Sequence, residues 1–145
     1  MTAPIDSLLS DHSSIRKQLD SLNNAFMSDA KTLDTQLLQF QKDIQSHFQK
    51  EDTCLYSLLD RKKRESDREL LHDLRNDRAA VIFSLASLLI KRKKGIPLAD
   101  CRTKWTALSS VLLHHFEQEE KQLFKLLEML LTPEEKKSLE KALTP

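Results

Sequence analysis

Two stretches of this chain place a histidine and a glutamate four residues apart, His47 with Glu51 and His115 with Glu119. On a helix, residues at i and i+4 share a face, so each pair brings an imidazole nitrogen and a carboxylate to one point beside the axis. Two such helices facing each other offer four nitrogen and oxygen donors to a shared centre. Donors of that kind, without thiolate, suit iron, manganese or zinc, and carboxylates can bridge two metal ions in a helical core.

The surroundings of the two pairs repeat as well. His47-Phe48-Gln49-Lys50-Glu51-Asp52, followed by Leu55-Tyr56 and Leu58-Leu59, returns 68 positions later as His115-Phe116-Glu117-Gln118-Glu119-Glu120, followed by Leu123-Phe124 and Leu126-Leu127. Matching of this length, in register, reads as an internal duplication. One stripe runs Leu37, Phe40, Ile44, His47, Glu51, Leu55, Leu58, and the other Trp105, Leu108, Leu112, His115, Glu119, Leu123, Leu126. Steps of three and four put each set on one helical face, with the histidine and the glutamate inside an apolar seam. Burying a carboxylate costs several kcal/mol unless it is paired or metal-bound, so two such glutamates call for partners. The plainer account is a buried polar network that holds the helices in register. A third stripe, Leu8, His12, Ile15, Leu19, Leu22, also carries a histidine where an aliphatic residue belongs. Alone, it would read as a core histidine with its hydrogen bonds satisfied. Here it is the third to enter the same core.

These residues need rigid helices to hold them, and the rest of the chain supplies helix signals. The 145 residues are 39% apolar and 31% charged, with one glycine and four prolines. That is too little turn chemistry for an all-β fold or for a glycine-rich nucleotide site. Apolar residues recur at helical spacing over about residues 5–27, 32–61, 67–93 and 98–131, with Asp6 or Ser7 expected to cap the first segment. The third ends in Lys91-Arg92-Lys93-Lys94 before Gly95, cations at the negative end of the helix dipole followed by the residue that tolerates a left-handed turn. Thr132-Pro133-Glu134-Glu135 reads as a capping box that opens a short fifth helix ending near Leu143. The expected fold is all-α, an antiparallel up-down-up-down four-helix bundle with a short C-terminal fifth helix, in a single domain over residues 1–145.

A net charge of +1 gives no general pull toward nucleic acid, and the basic runs 61–64 and 91–94 read as solvated helix ends. The longest apolar stretch, residues 79–90, is too short to span a bilayer, so no membrane partner is expected. The amino-terminal residues lack the character of a secretory signal, and Cys54 and Cys101 form no disulfide pattern, so a reducing cytoplasm is the expected compartment. His114 points about 100° away from His115 and reads as a surface residue. Cys54 and Trp105 read as packing. No nucleophile and base constellation stands out, so binding is expected before turnover, with a weak oxidase or peroxidase activity as a third reading.

Taken together, Asp11-His12, His47-Phe-x-x-Glu51-Asp52 and His115-Phe-x-x-Glu119-Glu120 resemble the hemerythrin-like, or HHE cation-binding, family over nearly the whole chain. The resemblance implies an antiparallel four-helix bundle with a non-haem iron centre, usually di-iron, near one end and bridged by the two motif carboxylates. His12, His47, Glu51, His115 and Glu119 become the candidate ligands. The functions implied are binding or sensing of a small diatomic ligand such as dioxygen or nitric oxide, response to oxidative stress, or iron handling.

One expected ligand is missing. The first and third segments repeat at an offset of 66, aligning His12 with Arg78. Guanidinium neither ligates nor gives up its charge, and pointed inward it would repel a divalent ion at roughly 4–6 Å by several kcal/mol. His72 lies about 9 Å further along the helix axis and cannot replace it. Two outcomes follow. Arg78 snorkels to solvent at the open end of the bundle, leaving one metal or two held unequally, or it pairs with Glu51 and Glu119 in place of metal. The second outcome defines the competing function, a metal-free regulatory or protein-interaction bundle.

Overall fold

The computed structural model describes residues 3–28 and 31–143; Met1 and Thr2, which begin the stretch read above as lacking a signal, lie outside them. The described residues form helices and turns with no strand. Helix α1 spans Ala3–Ser28. Helix α2 is Leu33–Glu51, continued through a π turn at Asp52–Tyr56 into Ser57–Lys62. A 3₁₀ turn, Glu65–Asp67, leads into α3, Arg68–Lys93. Helix α4 is Leu98–Gln118, a second π turn at Glu119–Leu123, and Phe124–Leu130. Helix α5 is Pro133–Leu143.

The end signals act largely as the residue types dictate. Gly95 has φ 74°, and the Ile96 amide donates back to the Lys91 carbonyl at 3.1 Å, closing α3 with a left-handed glycine. Thr132 and Glu135 exchange side-chain and backbone hydrogen bonds at 2.9 and 3.2 Å, the reciprocal cap of α5. Helix α1 starts earlier than expected, so Asp6 sits within its first turn, at the positive end of the dipole, and does not cap it. In the basic runs, Lys62 pairs with Glu135, Arg64 with Asp67 and Arg92 with Asp34.

Helix α1 packs against α2 and α4, and α3 against α2 and most extensively α4. Helix α5 lies against α1 and the α2 π turn, burying Leu139 and Leu143. The core is divided in two. One apolar cluster holds Ile15 to Phe26, Leu33 to Phe48, Val81 to Leu88 and Cys101 to Phe116, with Trp105 at its centre donating to Asn23 at 2.6 Å. The other holds Ile5, Leu8, Leu55, Tyr56, Leu59, Leu71, Leu74, residues from Leu123 to Leu131, and the two leucines of α5. Between them every long helix contributes buried polar residues: His12 from α1, His47 and Glu51 from α2, Arg78 from α3, and His115 and Glu119 from α4.

This layer is therefore enclosed on both sides, and the second cluster with α5 covers the end that the sequence reading left open. The expected stripe of α2 also changes past Glu51. Leu59 and Tyr56 are fully buried there, while Leu58 is only partly buried. The cause is the π turn, whose i→i+5 bond from the Ser57 amide to the Asp52 carbonyl widens one turn and rotates everything after it.

Candidate metal centre

One donor atom each from His12, His47, Glu51 and Glu119 lies within 4.8 Å of the other three, and all four residues are buried. His12 Nε2 is 3.2 Å from Glu119 Oε1 and 3.7 Å from Glu51 Oε2, and His47 Nε2 is 3.4 Å from Glu51 Oε1. The fifth candidate, His115, is also fully buried, with Nε2 3.5 Å from Glu119 Oε2, but it falls outside that set of four. His72 and His114 are exposed, and His72 contacts Asn76.

Outer carboxylates orient the inner imidazoles. His12 Nδ1 donates to Glu120 Oε2 at 2.8 Å, and Arg16 holds the same oxygen at 2.9 Å. His47 Nδ1 donates to Asp11 Oδ2 at 3.3 Å, which also accepts from Lys50 at 2.9 Å. A carboxylate only accepts, so Nδ1 carries a proton in each ring and Nε2 is the nitrogen turned inward. His115 repeats the pattern loosely, with Nδ1 3.7 Å from Asp77. Both ring nitrogens of His115 are buried without a hydrogen-bond partner among the described residues, and so, inside the layer, are Nε2 of His12 and His47, both oxygens of Glu51 and Oε1 of Glu119. Orphaned buried polar atoms are uncommon in native proteins, and these converge on one point. Two imidazole nitrogens and carboxylate oxygens, with no sulfur, fit a first-row cation such as iron.

Without a cation, the layer holds protons tightly. Burial alone would push the His12 imidazolium down, but the carboxylates of Glu119 and Glu51 outweigh it and raise it from 6.5 to about 10. His47 is raised to about 9 because Asp11 and Glu51 outweigh the same burial effect. Burial alone would likewise raise Glu119, yet His115 and His12 hold its carboxyl below the usual range. Each of these shifts reports a site arranged for positive charge beside carboxylates.

Arg78 turns outward from the layer, away from Glu51 and Glu119, yet stops short of open solvent. It is 7% exposed, its Nη2 donates to the Phe48 carbonyl at 2.7 Å, and it pairs with Asp52 Oδ2 at 2.8 Å. Its guanidinium carbon lies 5.0 Å from the Phe48 ring centroid and 4.5 Å from that of Tyr56, close enough for cation–π attraction. One of the two expected outcomes paired it with Glu51 and Glu119. Asp52 supplies the carboxylate instead, because it is the next residue along α2 and more than half exposed, so the guanidinium reaches an anion that water already solvates.

Sequence reasoning missed Tyr56. Its fully buried hydroxyl donates to Glu119 Oε2 at 2.9 Å, and burial together with Glu119 pushes its proton loss far above the ordinary range. The signal was present in the repeat: Tyr56 aligns with Phe124, which has no hydroxyl. The wide i→i+5 turn after Glu51 then brings Tyr56 round into the core.

Against this geometry, a family model described as the hemerythrin HHE cation binding domain matches residues 3–128. The chain belongs to that family. Comparison with curated proteins and with solved structures returned no match.

Proposed function

We propose that this protein binds non-haem iron in the buried layer and uses it to bind or sense a small diatomic ligand or an oxidant. The observation that carries the reading is the convergence of unpartnered buried nitrogens and oxygens from His12, His47, Glu51 and Glu119. Bound there, iron would supply a Lewis-acidic, redox-active centre open to small ligands. His12 and His47 would hold it through Nε2, each ring fixed from outside by Glu120 or Asp11. Glu51 and Glu119 would supply the oxygens and balance the charge. The apolar clusters on both sides keep bulk water from the layer.

We read the four long helices as an antiparallel up-down-up-down bundle, which the short connections between them support. The metal-free alternative rests on Arg78 neutralising Glu51 and Glu119; its ion pair is with Asp52, and its charge reaches Glu51 only from outside the layer.

Anaerobic reconstitution with iron(II), removal of free metal, metal analysis and ultraviolet absorption test the proposal. The expected result is retained iron, with new ultraviolet absorption once the loaded protein is oxidised by air. A protein that stays colourless and free of metal overturns it.

A further inference from the structure

The duplication relates the two halves of the layer residue by residue, and the structure shows where the relation fails. His12 corresponds to position 78, His47 to His115, Glu51 to Glu119, and Glu120 to Asp52. The His12 ring lies 4.0 Å from the Phe116 centroid and 5.8 Å from that of Phe124, with Glu120 on its outer nitrogen. Arg78 lies over the equivalent rings, Phe48 and Tyr56, with the equivalent carboxylate, Asp52, on its outer nitrogen. It fills the place of a histidine yet presents no donor atom to the interior, because guanidinium has no lone pair to give.

The second departure lies in the same half. Both oxygens of Glu51 are unpartnered among the described residues but only Oε1 of Glu119 is, although both ring nitrogens of His115 beside it are unpartnered too. The free oxygen, Oε1, faces His12 at 3.2 Å, and the oxygen facing His115, Oε2, already accepts from Tyr56. The hydroxyl thus takes one of the two lone pairs on the oxygen that a cation beside His115 would use and competes with it there. Phe124 at the corresponding place leaves the Glu51 oxygens open.

We propose that the chain holds one metal ion, between His12, His47, Glu51 and Glu119, and that Arg78 and Tyr56 together stand in for a second ion in the half that contains His115. Arg78 replaces its charge and removes a ligand, and Tyr56 competes for the carboxylate oxygen. This rests on the metal-binding reading above and adds its stoichiometry.

The test is metal analysis per chain after anaerobic iron(II) loading of the full-length protein and its variants. Wild type is expected to hold one ion. His115→Leu is expected to keep one, and His12→Leu to lose it. Restoring the repeat with Arg78→His and Tyr56→Phe together is expected to raise the count to two. Circular dichroism reports whether that double variant folds, and the wild-type and His115 results decide the stoichiometry without it. Electron paramagnetic resonance of the oxidised wild type should give the signal of an isolated ferric ion. Two ions in wild type, or loss on His115→Leu as complete as on His12→Leu, overturns the proposal. So does a folded double variant that stays at one. No metal in any form brings down the metal-binding reading itself.

Discussion

His12 and Glu120, 108 positions apart in sequence, are joined by a 2.8 Å hydrogen bond from the imidazole Nδ1 to the carboxylate. The bond ties α1 to α4 and fixes which nitrogen of His12 looks inward. Outer carboxylates of this kind also raise the basicity of the ligand they hold. Glu120→Ala is therefore expected to weaken iron affinity by about 10–100-fold without removing any inner donor. Competition titration against a chromophoric chelator measures it. An unchanged affinity would show that His12 is oriented by packing between Phe116 and Phe124 alone.

Tyr56→Phe keeps the ring and removes the donor to Glu119. A buried carboxylate oxygen that loses its only hydrogen bond costs about 1–3 kcal/mol. Urea denaturation of chelator-treated protein should show a loss in that range, and a neutral result would mean the hydroxyl is not needed there.

The two partners of the Arg78–Asp52 pair should differ in consequence. Asp52 is more than half exposed, so Asp52→Asn is expected to cost no more than about 1 kcal/mol. Arg78→Ala is expected to cost more, since it empties the space between Phe48 and Tyr56 and removes the guanidinium that donates to the Phe48 carbonyl beside the Asp52 amide. Equal losses in urea denaturation would assign the stability to the ion pair and not to the packing.

The charged layer gives the metal-free protein a particular dependence on pH. His12 and His47 are raised above 6.5 on folding, so their contribution is full below about pH 6.5 and fades as pH rises toward about 9 and 10. Glu119 is lowered from 4.5, so its contribution is present above that value and fades in acid. Thermal denaturation after chelation should show its highest midpoint between these limits, at about pH 4.5–6.5. Loading with iron should remove the alkaline decline, because a ligating imidazole is already neutral. A chelated protein whose midpoint climbs steadily from pH 6.5 to 9 would contradict the assignment.

Much of this was legible in the residues. The spacing of His47 and Glu51, repeated at His115 and Glu119, placed the layer, and Gly95 and the Thr132–Glu135 box marked helix ends found where they were expected. The two π turns were not legible, because an i→i+5 turn is selected by how a helix packs on its neighbours and leaves no local pattern of residue types. That gap left Leu58 only partly buried against the second cluster and hid Tyr56. The destination of Arg78 was also beyond sequence, since Glu51 and Asp52 are adjacent and only the three-dimensional path of a long side chain chooses between them. The enclosing role of α5 was missed for a related reason: a capping box says where a helix starts but not what it covers.

The placement of the polar layer between two apolar clusters has a further consequence for how the molecule comes apart. Apolar contacts bind each cluster within itself, while the two meet across a sheet of charge whose cohesion depends on what occupies it. The layer is thus a seam between two cooperative units. The unit that includes α5 and the ends of α2 and α4 should open by itself when the layer is bare and fuse with the other when a cation is present. Amide hydrogen exchange would register this as protection gained in α5, a helix that supplies no inner donor.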